Sequence, residues 1–167
     1  ASFEIDFFED WSAQGFLAGP TTWTLSQDNL TVTQTQNSGP GVAMTNLPAV
    51  GLTIEFELEV QTTGDDDFLG WTVGYESGDH SNPNAEYMIF DWKQADQNCD
   101  GWGYDGLAMN RVTGIPTLSG GCDNIGNFWS HADAVAEEAR ALNLGSTGWA
   151  DNTTYLVELQ YEVDQIQ

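Results

Sequence analysis

Residues 64–94 read GDDDFLGWTVGYESGDHSNPNAEYMIFDWKQ. Three consecutive acids, Asp65, Asp66 and Asp67, run straight into an apolar segment, Phe68–Tyr75. A loop of Gly, Ser, Asn and Pro follows, then a second apolar segment, Tyr87–Trp92, that closes on Lys93 and Gln94. Two apolar runs of strand length separated by turn residues read as antiparallel neighbours. Adjacent carboxylates disfavour one another's ionised form. A bound hard cation offsets that cost, and calcium takes about six to eight oxygens from carboxylates, amides and water. Asp65, Asp66 and Asp67, with Asp79 and Asn82 from the loop and Asp91 from the second segment, are therefore the candidate metal ligands. A solvated acidic loop is the plainer alternative for the same residues.

The pattern on either side is also β. Thr53–Val60 (TIEFELEV) puts Ile54, Phe56, Leu58 and Val60 on one face and Glu55, Glu57 and Glu59 on the other. Period two marks a strand with one buried and one solvated face. Thr31–Thr35, Leu107–Arg111 and Tyr155–Tyr161 read as further strands. Ala132–Leu142 (ADAVAEEARAL) has helix-forming composition and is expected as a short surface helix or a turn between strands. With no repeat or linker, residues 1–167 read as a single all-β domain, a jelly-roll sandwich of two antiparallel sheets.

The chain carries 26 acids against three bases, Lys93, Arg111 and Arg140, for a formal charge of −23. Nucleic acid is excluded as a partner because binding phosphates needs a basic face. Anionic membrane surfaces are excluded on the same ground, and no apolar run is long enough for membrane insertion. The two cysteines, Cys99 and Cys122, lie in polar, Gly-rich loops, a placement that points to a disulfide and an oxidising compartment. A start at Ala1 fits a chain cleaved behind a small residue on export.

Several short motifs, in order, carry a family resemblance. They are Trp23-Thr24-Leu25, the segment Val32–Ser38, the DDD-aromatic-x-G run at Asp65–Gly70, and Trp92-Lys93-Gln94. Gly106–Met109, Phe128–His131, and Gly148-Trp149 with Asp151 follow. Together they resemble the C-terminal lectin-like domain of thrombospondins and their bacterial relatives over roughly residues 20–167. The resemblance implies a concanavalin A-like sandwich, bound calcium, secretion, and a binding or adhesive role toward an extracellular glycan or matrix protein. The family pattern continues with a hairpin and a closing strand after the position of Gln167. An open sheet edge there would allow self-assembly, with a neighbouring subunit's strand completing the fold in a fibre.

Trp102 and Tyr104 sit beside Asp105 in a Gly- and Asp-rich loop rather than in an apolar strand. Aromatic rings next to carboxylates suit sugar recognition, so these three are the candidate ligand contacts. A competing catalytic reading rests on Glu4-Ile5-Asp6-Phe7-Phe8-Glu9. That run resembles the active-site strand of laminarinase-like retaining glycosidases, whose two carboxyls flank the scissile bond. Its place at the head of the chain, before any other strand can shape a cleft, argues against it. The sequence therefore reads as a calcium-binding adhesion module and not as an enzyme.

Overall fold

The computed structural model describes residues 12–16, 22–36, 39–45, 48–64, 66–99, 101–118, 122 and 125–163. The strands are β1 (Ser12–Gly15), β2 (Trp23–Leu25), β3 (Val32–Gln34), β4 (Gly41–Met44), β5 (Leu52–Leu58) and β6 (Phe68–Val73). They continue as β7 (Glu86–Lys93), β8 (Gln97–Asn98), β9 (Trp102–Gly103), β10 (Gly106–Thr113), β11 (Val135–Arg140) and β12 (Tyr155–Tyr161). A 3-10 turn at Asp79–Ser81 and a short helix, α1 (Gly126–Ser130), interrupt them. The expected all-β sandwich is the observed class. The central layer is a four-stranded antiparallel sheet in the order β11-β10-β7-β6, and β5 pairs with β12 in a second sheet. The acidic run and its partner segment are neighbouring strands: Phe68 lies opposite Lys93, Gly70 opposite Asp91, and Val73 opposite Met88.

Both faces of the central sheet are covered, which explains why β6 and β7 are apolar almost throughout. One face meets the alternating apolar side of β5 and β12. Phe56 packs edge-on against Trp71, Trp71 stacks on Phe90 with centroids 5.0 Å apart, and Trp92 meets Tyr155 at 4.5 Å. The opposite face builds the main core, where Ala85, Tyr87, Val112, Phe128 and Val135 are buried together. Phe16 and Phe68 pack edge-on or tilted against Phe128 there.

Residues 132–142 are not a helix. Val135–Arg140 forms β11 and pairs along β10, with Val135 opposite Val112 and Arg140 opposite Ala108. Helix propensity is a weak prior that tertiary pairing overrides. Here β10 offers an open edge, and Val135 gains a place in the core. His131 and Asp133, both at positive φ, turn the chain out of α1 and into the strand. The register shifts between Met109 and Asn110, which leaves Glu138 as an extra residue on β11. This bulge has a consequence for chemistry. In a regular strand, residues three apart face opposite sides. With one residue inserted, Glu137 and Arg140 point to the same face as Asn110 and Ala108.

Cys99 and Cys122 are disulfide-bonded with Cα atoms 5.4 Å apart, as the sequence suggests. Cys99 is buried with Ile125 and Trp129, so the bond ties the β8–β9 hairpin to the segment leading into α1. On the chain-entropy model, closing this loop stabilises the fold by about 3 kcal/mol. A Cys122→Ser variant is expected to melt roughly 6–12 °C lower in circular dichroism. An unchanged melting point would show that the bond constrains nothing.

Candidate functional site

Asp91 and Lys93 lie two residues apart on β7, so their side chains share a face, and both are essentially sealed from solvent. Their carboxylate and ammonium form an ion pair. The other Asp91 oxygen accepts from Asn110 Nδ2 at 2.7 Å. His131 follows α1 and presents Nε2 at 2.7 Å from Lys93 Nζ and 3.0 Å from Asp91 Oδ2. Its Nδ1 faces Glu137 Oε2 at 2.7 Å. Nε2 accepts from the Lys93 ammonium when it carries no proton and donates to Asp91 Oδ2 when it carries one, while Nδ1–H donates to Glu137. Arg140 closes the chain of contacts. Its Nε donates to Glu137 Oε1 at 2.9 Å and its Nη2 to Oε2 at 3.0 Å. Phe68 and Trp129 flank the ammonium, with centroids 5.7 and 5.4 Å from Nζ, within cation–π range.

Burial works to raise the Asp91 carboxyl, but the His131 hydrogen bond and the Lys93 charge outweigh it and hold the carboxyl below its ordinary value. Burial pulls the Lys93 ammonium below the usual lysine range despite the attraction of Asp91. Burial also acts to raise Glu137, and hydrogen bonds from Arg140 and His131 more than reverse it.

Outward from this cluster lies a cleft of about 260 Å³. Trp102, Gly103 and Tyr104 line it on one side; Trp129, Ser130, His131, Glu137 and Arg140 line the other. Gly103 permits this arrangement, because a Cβ there would come within 2.5 Å of the Trp129 ring and 2.7 Å of its carbonyl oxygen. Trp129 Nε1 donates to Gln97 O at 3.0 Å, which fixes the ring beneath the hairpin.

The structure brings together only some of the residues singled out from the sequence. Trp102 and Tyr104, 56% and 58% exposed, stand at the cleft mouth. Asp105 acts through its backbone instead: its N–H donates to Asp96 and its carbonyl accepts from Arg140 Nη1 at 2.7 Å. The metal candidates divide. Asp66 accepts from Gln97 Nε2, and Asp66 and Asp67 are both half-buried immediately before β6. Asp79 and Asn82 lie beyond the far end of β6, roughly 20 Å along the strand, and are bonded to each other at 3.1 Å. Asp79 also accepts from the Glu76 N–H at 2.9 Å. Asp91 is committed to Lys93, Asn110 and His131. Asp65, and with it Glu4, Asp6 and Glu9, lies outside the described residues. Among the described residues no group of three His, Cys, Asp or Glu is gathered to hold an ion. The hard oxygen donors of Asp66 and Asp67 nonetheless fit calcium by their chemistry.

Comparison with known proteins follows the same lines as the fold. The family model of the thrombospondin C-terminal region matches residues 19–165, and the chain belongs to that family. Among its relatives are human (Homo sapiens) thrombospondin-3, 26% identical over 147 residues, and Rattus norvegicus cartilage oligomeric matrix protein, 26% identical over 146 residues. Thrombospondin-4 of Bos taurus is 25% identical over 146 residues. These alignments cover 82–83% of this chain but only 14–18% of each relative.

Asp91→Asn is expected to cost about 3–5 kcal/mol, because it leaves the Lys93 ammonium buried without its counter-ion. Denaturant titration measures this, and a loss under about 1 kcal/mol would mean that water reaches the cluster. Asp91 and Glu137 have depressed folded-state values, so the stability they confer is present above the ordinary carboxylate range and is lost as pH falls through their folded values. The native chain should therefore lose stability progressively below about pH 4, and Asp91→Asn should flatten that dependence.

Proposed function

We propose that the chain is a calcium-binding adhesion module of an extracellular matrix, cell surface or filament, and that it engages a glycan or matrix protein through the cleft at Trp102 and Tyr104. One observation carries this reading. The two aromatic residues picked out as ligand contacts share a single cleft with a fixed polar wall, and a disulfide anchors the hairpin that presents them. Membership of the thrombospondin C-terminal family supports the calcium and the extracellular setting. Asp66 and Asp67, with Asp65 before them, would hold the ion at the start of β6. There it would neutralise adjacent carboxylates in a chain with a formal charge of −23. The role is binding without catalysis, since the cleft presents aromatic rings and a closed salt bridge.

A thermal melt in EDTA, repeated with calcium and with magnesium, tests the metal. Ligand at a hundredfold its Kd stabilises by about 2.7 kcal/mol. Calcium should then raise Tm by roughly 5–11 °C and magnesium by far less. Equal, small shifts with both ions would reduce the effect to charge screening and remove calcium from the proposal.

A further inference from the structure

Resting on that adhesion reading, we infer that the cleft between the β8–β9 hairpin and β11 is a subsite for one neutral hexopyranose. The ring stacks at Trp102, Glu137 and Arg140 hold a vicinal pair of hydroxyls, and no calcium ion takes part.

Hydrogen-bond accounting at the polar wall points to this ligand. A guanidinium has five N–H donors. Arg140 spends Nε on Glu137, both Nη1 protons on the carbonyls of Asp105 and Gly145, and one Nη2 proton on Glu137. Among the described residues one Nη2 donor is left over. Among the described residues Glu137 Oε1 accepts only from Arg140 Nε, whereas Oε2 accepts from Arg140 Nη2 and His131. Oε1 therefore keeps a lone pair. A spare donor and a spare acceptor, side by side on one ion pair, match two adjacent hydroxyls, one accepting from Arg140 and one donating to Glu137.

Charge narrows the choice further. Glu137 and Arg140 cancel within the wall, so neither a cation nor an anion gains a counter-ion there. The excess of 26 acids over three bases disfavours sulfated or uronic glycans. A basic peptide is favoured by the overall charge, but it would meet the Arg140 guanidinium in the cleft. At about 260 Å³ the space suits one ring rather than a folded segment. Two exposed aromatic rings at the mouth supply flat apolar surface for a sugar's C–H face. The Arg140 and Glu137 side chains are already fixed by protein partners, with only the one donor and the one acceptor left over, so little ordering remains to oppose a weak ligand.

The test is saturation-transfer NMR on the full chain in EDTA. The probes are methyl β-D-galactopyranoside, methyl α-D-mannopyranoside and methyl β-D-glucopyranoside at millimolar concentration, with Nα-acetyl-lysine amide as the cationic competitor. At least one glycoside should bind saturably. Trp102→Ala should weaken that binding roughly tenfold or more, and Trp102→Phe should recover part of it. Glu137→Gln should weaken it several-fold, and Tyr104→Ala is the second variant should Trp102→Ala misfold. Three results each overturn the inference: no glycoside binds, binding survives Trp102→Ala at full strength, or the lysine derivative binds in place of the sugars. Sugar binding that disappears in EDTA also overturns it. A chain that calcium stabilises but that binds no glycoside loses this inference and keeps the adhesion reading; the converse result removes the metal and leaves the subsite.

Discussion

An ammonium ion sealed inside a β-sandwich is the constraint around which this structure is arranged. Burying an unpaired charge is prohibitive, and burying a pair is tolerable only when good geometry and added hydrogen bonds satisfy what remains. Lys93 is 0% exposed. Three strands and the segment after α1 supply what it needs: the Asp91 carboxylate beside it, Asn110 on that carboxylate, His131 on both partners, and Glu137 behind the imidazole. Arg140 then neutralises Glu137. The polar wall of the cleft is the outer end of this chain of obligations, and its geometry is inherited from a buried lysine.

The scarcity of basic residues sharpens the point. All three are engaged by acids: Lys93 by Asp91, Arg140 by Glu137, and Arg111 by Glu138 at 2.8 Å with Glu86 at 3.9 Å. Only Arg111, beside Glu138 and Glu86, stands on the acidic surface. Glu55 lies directly opposite Glu158 across the β5–β12 pair, an arrangement of like charges that costs stability. Two of the three cations are placed inside or at the edge of the cluster rather than on that surface, so the fold relies on solvent ions to screen its exterior.

Much of the architecture was legible because its cues are local. The alternation of Thr53–Val60 and the paired apolar runs around the aspartates gave strands β5, β6 and β7, and the loop placement of Cys99 and Cys122 gave the disulfide. Trp102 and Tyr104 stood out as aromatics in a polar loop, and they do line a cleft. The rest depends on contacts that no window of sequence contains. Glu137 and Arg140 sit in an Ala- and Glu-rich stretch that reads as helix, and only pairing with β10 makes it a strand. Their shared face depends on the single extra residue at Glu138. Asp91 showed its charge but not its partner: a carboxylate two positions before a lysine on one strand is a signal for a same-face ion pair, and the neighbouring aspartates drew it toward a metal instead. His131 is 40 residues from Asp91 and carries no local mark of their contact.

The disulfide encloses strand β10, an interior strand of the central sheet, together with β9. That ring has a mechanical meaning wherever the chain is pulled from its ends. Under tension the backbone between Cys99 and Cys122 is short-circuited by the sulfur bridge, and roughly 80 Å of extended chain is withheld from stretching. Force is routed past the strand that joins β7 to β11, so the sheet's middle is spared until the bridge is reduced. The redox state of the surroundings thereby sets how far the module can lengthen before it fails.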